Sequence, residues 1–170
     1  MISILSIDTD WVRDARTCSE LLRTVAPIFK KVPLKNMLFS IWHKDIHRII
    51  DSIPTSELPI KIVNIDHHHD LQYTNEPDND KFKSSNWLGK YILNRTVSEA
   101  LWIANYDSLM NGFQHSTPLL QDEVIAITQD IQHAKHYKYD YIFVCQSPHH
   151  GNPFSFCAYD ALMAFAKNME

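Results

Sequence analysis

The stretch "KIVNIDHHHDL", Lys61 to Leu71, carries apolar residues straight into five consecutive ionisable ones, Asp66, His67, His68, His69 and Asp70. The apolar part reads as a strand buried on both faces of a parallel sheet, and its end at Asp66 places the ionisable groups at the strand's carboxyl edge. If the extended period of two persists, Asp66, His68 and Asp70 turn toward one site while His67 and His69 point elsewhere. Two carboxylates and an imidazole form a hard to borderline ligand set. It suits Mn2+, Fe2+, Co2+ or Zn2+ better than a thiolate-preferring ion.

The flanking chain supplies companions to this strand. "ISILSI" (2–7) is a first strand that stops at Asp8, "NMLFSIW" (36–42) a second that ends at His43, and "IKIVNI" (60–65) the third. Further strands are expected over 99–105, 122–127 and 141–146. Helices are expected over 18–31, where Pro27 would kink or end the element, and over 44–53 and 156–169, with another beginning in 86–94. The polar segment 72–85 reads as an exposed loop. Strands alternating with helices imply an α/β three-layer sandwich with a mainly parallel sheet, and such sheets bind ligands beyond the carboxyl ends of their strands. Asp8 and Asp10, His43, and Asp66, His68 and Asp70 all fall there. Six such side chains are too many for one ion that must also admit a substrate. They suit two ions that share carboxylates and activate a water between them. Carboxylates gathered at one buried sheet edge repel, and are rarely left there without a cation.

Composition narrows the alternatives. The 170 residues fit one domain, 1–170, and the net charge of −4 with scattered Lys and Arg offers no footprint for nucleic acid or an anionic membrane. Cys18, Cys145 and Cys157 have no CxxC spacing and read as packing residues in a reducing compartment. No apolar run approaches the roughly 18 residues of a membrane span, and "MISILSIDTD" lacks a basic leader, so a soluble, cytoplasmic protein is expected. The sequence carries no indication of oligomeric state.

"LSIDTDW", "NIDHHHDL", "SNWLGKYI", "ALWIANYDS" and "YIFVCQSP" together resemble the small arginase-like proteins of the peptide arginase group, within the ureohydrolase and deacetylase fold. The resemblance runs from Ile2 to about Pro153, and the Asp-x-His-x-Asp and Asp-x-Asp pair is the dimanganese signature of ureohydrolases. Larger arginases place the Asp-x-Asp strand after the others; here it comes first, which implies a compact version with rearranged strand order. The resemblance implies that His43, Asp66, Asp70 and Asp8 hold one Mn2+, and Asp66, His68, Asp8 and Asp10 a second. It implies hydrolysis of an arginine side chain in a precursor peptide to ornithine and urea, by a hydroxide shared between the ions. Asp70 would orient that hydroxide. His149 would pass a proton to the departing amine, with His67, His69 and His150 candidates of the same type.

Ser85 and Asn86 resemble the pair that contacts the substrate's main-chain end in arginases. Large arginases present a glutamate to the guanidinium after the last strand, whereas "VCQSPHHGNP" offers Gln146 and Ser147 as substrate contacts and no carboxylate. Trp87 reads as a buried helical face with Tyr91 or as part of the site, and Trp11 and Trp102 allow the same two readings. Two other classes stay open. One is another binuclear metallohydrolase, either a DHH-type phosphoesterase, against which stand only three glycines and no basic cluster, or a deacetylase-like amidohydrolase. The other is a non-catalytic metal-binding module.

Overall fold

The computed structural model describes residues 1–71, 83–112 and 124–169. Its strands are β1 (Ser3–Asp8), β2 (Met37–Ser40), β3 (Ile60–Ile65), β4 (Val97–Ile103), β5 (Ile125–Thr128) and β6 (Tyr141–Cys145). They form a single all-parallel sheet in the order β2-β6-β1-β3-β4-β5. The helices are α1 (Ala15–Phe29), α2 (His47–Ile50), α3 (Trp87–Leu93), α4 (Tyr106–Met110) and α5 (Pro153–Lys167). β1 lies between β6 and β3, and every one of its residues is buried.

Alternation along the strands divides the core in two. Leu5, Ile7, Val63, Ile65, Ile142 and Val144 face α1, α5 and the 3-10 turn Ile131–His136. Ile4, Ile62, Trp102 and Phe143 face α2 and α3 on the other side. The result is an α/β sandwich of three layers. The connections follow one rule: β1 to β2 and β5 to β6 move toward the β2 edge and cross on the α1 face, while β2 to β3 and β3 to β4 move toward the β5 edge and cross on the α3 face. A single crossover hand demands this arrangement.

Several elements begin away from their expected places, each for a local reason. α1 starts at Ala15 because Asp14 and Thr17 form a capping box, in which Thr17 N–H donates to Asp14 Oδ1 at 2.7 Å. Pro27 sits in the last turn, and the helix ends two residues later at Phe29. α5 starts at Pro153, where a proline in the first turn costs no hydrogen bond. The helix expected over 44–53 is a 3-10 turn, His43–Ile46, leading into α2, with Ile46, Ile49, Ile50 and Ile53 buried as the spacing predicts. β4 ends at Ile103 rather than 105 because Asn105 caps α4, accepting from Ser108 N–H at 2.9 Å. Neither α4 nor the Ile131–His136 turn is evident in the sequence pattern. Residues 122 and 123 of the expected fifth strand lie outside the described residues, as do 72–82 of the expected loop. Among the described residues, no helix is long and apolar enough to cross a membrane.

Asn152 ties α5 to the loop after β1. Its side chain accepts from Phe154 and Ser155 N–H at 2.9 and 3.1 Å and donates to Val12 O at 2.7 Å. Asn152→Ala is expected to cost about 1–2 kcal/mol, a fall in Tm of roughly 2–8 °C for a chain of this size. An unchanged Tm in a thermal melt would show that the cap contributes nothing.

Candidate metal centre

Parallel pairing sets Ser6 opposite Asn64 and Ile7 opposite Ile65, so Asp8 and Asp66 leave the sheet side by side. The 3-10 turn after β2 brings His43 against them, and the chain beyond β3 brings Asp70. His43 Nδ1 stands 3.2 Å from Asp8 Oδ2, 3.2 Å from Asp66 Oδ2 and 2.8 Å from Asp70 Oδ2. One N–H cannot serve three carboxylates. Adjacent ligands of an octahedral ion with bonds of about 2.1 Å stand about 3 Å apart, which is the spacing seen here. The other ring nitrogen, Nε2, lies 2.8 Å from Ser6 Oγ, and the ring stacks on Phe143 at 5.7 Å and 8°. With Nε2–H donated to Ser6, Nδ1 would turn its lone pair to an ion held among the carboxylates, and in the absence of an ion it carries the proton they attract.

A second group adjoins the first. Asp10, Asp66 and His68 bring ligand atoms within 4.8 Å of one another, as do Asp8, His43 and Asp66, so Asp66 belongs to both. His68 Nδ1 is 3.1 Å from Asp10 Oδ2, yet that buried oxygen accepts no hydrogen bond. With no ion bound, the Asp10 carboxylate favours protonated His68 across this contact; a cation between the two atoms would take the place of that proton. All six residues expected as ligands therefore meet at one place, and two divalent ions would neutralise their four carboxylates. The resemblance gives both Asp8 and Asp66 to two ions; in the geometry, Asp66 is the residue common to the two groups.

Buried donors hold these carboxylates. Asn64 Nδ2 donates to Asp66 Oδ2 at 3.1 Å, His68 N–H to Asp66 Oδ1 at 2.8 Å, and Asp10 N–H to Asp8 Oδ1 at 3.1 Å. The Ser147 hydroxyl donates to Asp8, and the Trp87 indole N–H to Asp70. Trp102 Nε1 donates to the backbone carbonyl of Asp66 at 3.0 Å. The two histidines that alternate away from the site serve the fold. His67 Nδ1 lies 3.0 Å from Asn105 Oδ1, and His69 Nδ1 accepts Leu71 N–H at 3.0 Å with its ring edge-on to Trp102.

The expected substrate contacts fare differently. Ser147 donates its hydroxyl to Asp8, and Asn86 is buried with Oδ1 accepting Lys83 N–H at 2.8 Å, so each has a contact within the fold. Ser85 is exposed, and Gln146 is half-buried. His149 is exposed against the Trp42 ring at 5.1 Å, and His150 is exposed against His68 at 4.9 Å. Ser6 and Asn64 are site residues that the sequence reading missed. Each is a polar residue in a buried strand, two positions before Asp8 and Asp66 respectively, and period two puts it beneath that carboxylate.

Burial and like charge shape the protonation of the cluster. Burial, then the charges of Asp8 and Asp66, push Asp10 up to about 7; burial and Asp70 do the same to Asp66. Burial opposes charge on His43 and His68, but the carboxylates around them win. His43 is held well above its usual 6.5, chiefly by Asp70, and His68 is raised to about 9, chiefly by Asp10. Burial also works against the Asp8 carboxylate, yet His43 and Ser147 keep its pKa below the ordinary value. Burial drives His67 and His69 down to about 4.

Compared with protein-family models, with curated proteins and with solved structures, the chain matches none.

The sign of these shifts sets the pH response of protein stripped of metal by a chelator. Groups whose folded pKa is raised stabilise fully below their unfolded pKa and lose that contribution as pH climbs through the folded value. Well above pH 6.5, His67 and His69 are neutral in both states, while His68 loses stabilisation up to about pH 9 and His43, whose pKa is also raised, contributes in the same direction. Stripped protein is therefore expected to show a Tm that falls from pH 6.5 to 9, and saturating Mn2+ to remove most of that fall. A Tm that rises over this range without metal would contradict the protonation pattern.

Proposed function

We propose that this chain is a binuclear metallohydrolase with an arginase-like fold that uses Mn2+ to hydrolyse arginine side chains within a peptide to ornithine and urea. The observation that carries the reading is the Asp66 carboxylate, common to an Asp8–His43 group and an Asp10–His68 group. A shared carboxylate is the usual way for a protein to hold two ions close enough to act on one water. When bound, such a pair would lower the pKa of that water and make it nucleophilic near neutral pH. The motif resemblance supports arginine as the substrate residue.

The protein's own groups divide the remaining tasks. Ser6, Asn64, Ser147 and Trp87 fix the ligand side chains. Water adds at the guanidinium carbon, the bond from that carbon to Nε breaks, and Nε must gain a proton as ornithine leaves. His67 and His69 are buried and already hydrogen-bonded, which leaves the exposed imidazoles of His149 and His150 for that transfer; His149, on the Trp42 ring, is the one we assign. Gln146 is the neutral acceptor available to the guanidinium in the loop after β6. Nothing among the described residues encloses the two charged ends of a free amino acid, and burying such ends without partners is costly.

Two measurements test this. Elemental analysis of Mn2+-saturated protein is expected to give two ions per chain, and Asp66→Ala to lose both ions and all turnover, whereas His43→Ala loses one ion and recovers partial activity in excess Mn2+. One ion at saturation in the parent would overturn the binuclear centre. In parallel urea-release assays, an arginine-containing peptide is expected to react much faster than free L-arginine at equal concentration, with mass spectrometry showing loss of CH2N2 per arginine. Comparable turnover of free arginine would refute the peptide preference, and no urea from either would refute the arginase reading.

A further inference from the structure

We propose that helix α3 is the positioning element for Asp70, acting through Trp87 and Gly89; the inference rests on the metal-binding reading above. Asp70 needs such an element. Its backbone sits at φ 55°, in the left-handed region that residues with a Cβ adopt reluctantly, and it lies five residues beyond the end of β3. Unlike Asp8 and Asp66, it is not carried by the sheet itself.

Two contacts from α3 supply what the sheet does not. The Trp87 indole N–H donates to Asp70 Oδ2, the same oxygen that stands 2.8 Å from His43 Nδ1. Gly89 N–H donates to the Asp70 carbonyl at 3.2 Å. The residue is thus gripped at both its side chain and its main chain. An indole nitrogen only donates, so it occupies one lone pair of the carboxylate and fixes how the group turns toward His43. The wholly buried Trp87 ring also lies 5.1 Å from the His43 ring, so it packs against one candidate ligand while bonding the other.

Gly89 makes the approach possible. A Cβ at this position would lie 3.1 Å from the Leu71 carbonyl oxygen, 3.2 Å from its Cα and 3.3 Å from its carbonyl carbon. These are main-chain atoms next to Asp70 and cannot rotate away. Glycine inside a helix is otherwise unfavourable, so its place in α3 answers to this contact rather than to the helix.

The test is calorimetric titration of Mn2+ into chelator-stripped parent protein, Trp87→Phe and Gly89→Ala, with Tm measured for each metal-free form. Phe keeps an aromatic ring of smaller volume and removes the donor; Ala adds one methyl group and is the better helix former. Each variant is expected to weaken one Mn2+ site by about 10–100-fold and leave the other unchanged. A purely structural role would instead weaken both sites alike as the fold loosens. Two parent-like sites in both variants, or equal weakening of both sites, would overturn the inference. If Trp87→Phe does not fold, Gly89→Ala decides by the same criterion. A parent chain that binds no Mn2+ overturns the functional reading, whereas a parent with two sites and unaltered variants overturns this one alone.

Discussion

Asp8 and Asp66 emerge side by side from adjacent parallel strands, and the repulsion between carboxylates at that buried edge is the constraint to which the rest of the site answers. Removing a carboxylate from water is costly, and placing several together multiplies the cost unless positive charge or directed donors offset it. The molecule uses both. His43 reaches three of the carboxylates through one nitrogen, and Ser6 and Phe143 leave the ring no other orientation. Asn64, Ser147, Trp87 and backbone N–H groups take up further lone pairs. Asp10 Oδ2 accepts no hydrogen bond and faces His68 Nδ1 at 3.1 Å, which is where the proposed reading would put a cation.

The sheet order explains why this happens between β1 and β3. From β1 the chain crosses on the α1 face toward the β2 edge, and from β3 it crosses on the α3 face toward the β5 edge. The two connections leave in opposite directions and open a crevice at the carboxyl ends of these strands, the position where parallel sheets bind ligands. β6 closes the other side of β1 and delivers Ser147 to Asp8. A strand order in which β1 and β3 were not neighbours would separate the two aspartates and with them the group that Asp66 completes.

The strands, and the residues that meet at the end of the sheet, are legible in the sequence because both obey a period. "ISILSI" and "IKIVNI" are apolar on both faces, which only a covered parallel strand explains, and each stops at an aspartate. The same period of two sends His68 to the site and His67 and His69 to the scaffold. The boundaries of α1, α4 and α5 were less legible because single capping residues, Asp14, Asn105 and Asn152, decide them and leave no trace in the apolar pattern. The contacts that Asn86 and Ser147 make within the fold were not legible for a related reason. Short polar side chains satisfy their own fold as readily as a ligand, and only distances separate the two uses. Trp87 seemed to require a choice between core and site, but its ring fills the core while its N–H serves Asp70.

A division of labour follows from where the groups lie. His43, Asp8, Asp10, Asp66 and Asp70 are buried and cross-braced, so their positions are set before anything binds and little ordering is left to be done on loading. His150 stands exposed beside His68, and His149 exposed beside Trp42, next to His43 in the chain. On the proposed reading, buried ligands beside exposed groups favour a substrate that brings its own bulk, because a long chain can itself cover the site and exclude water. Under the proposed function, changes at the buried carboxylates and His43 would act on metal and rate together, while changes at the exposed residues would act on which substrate is accepted. Selectivity could then drift without disturbing the buried cluster.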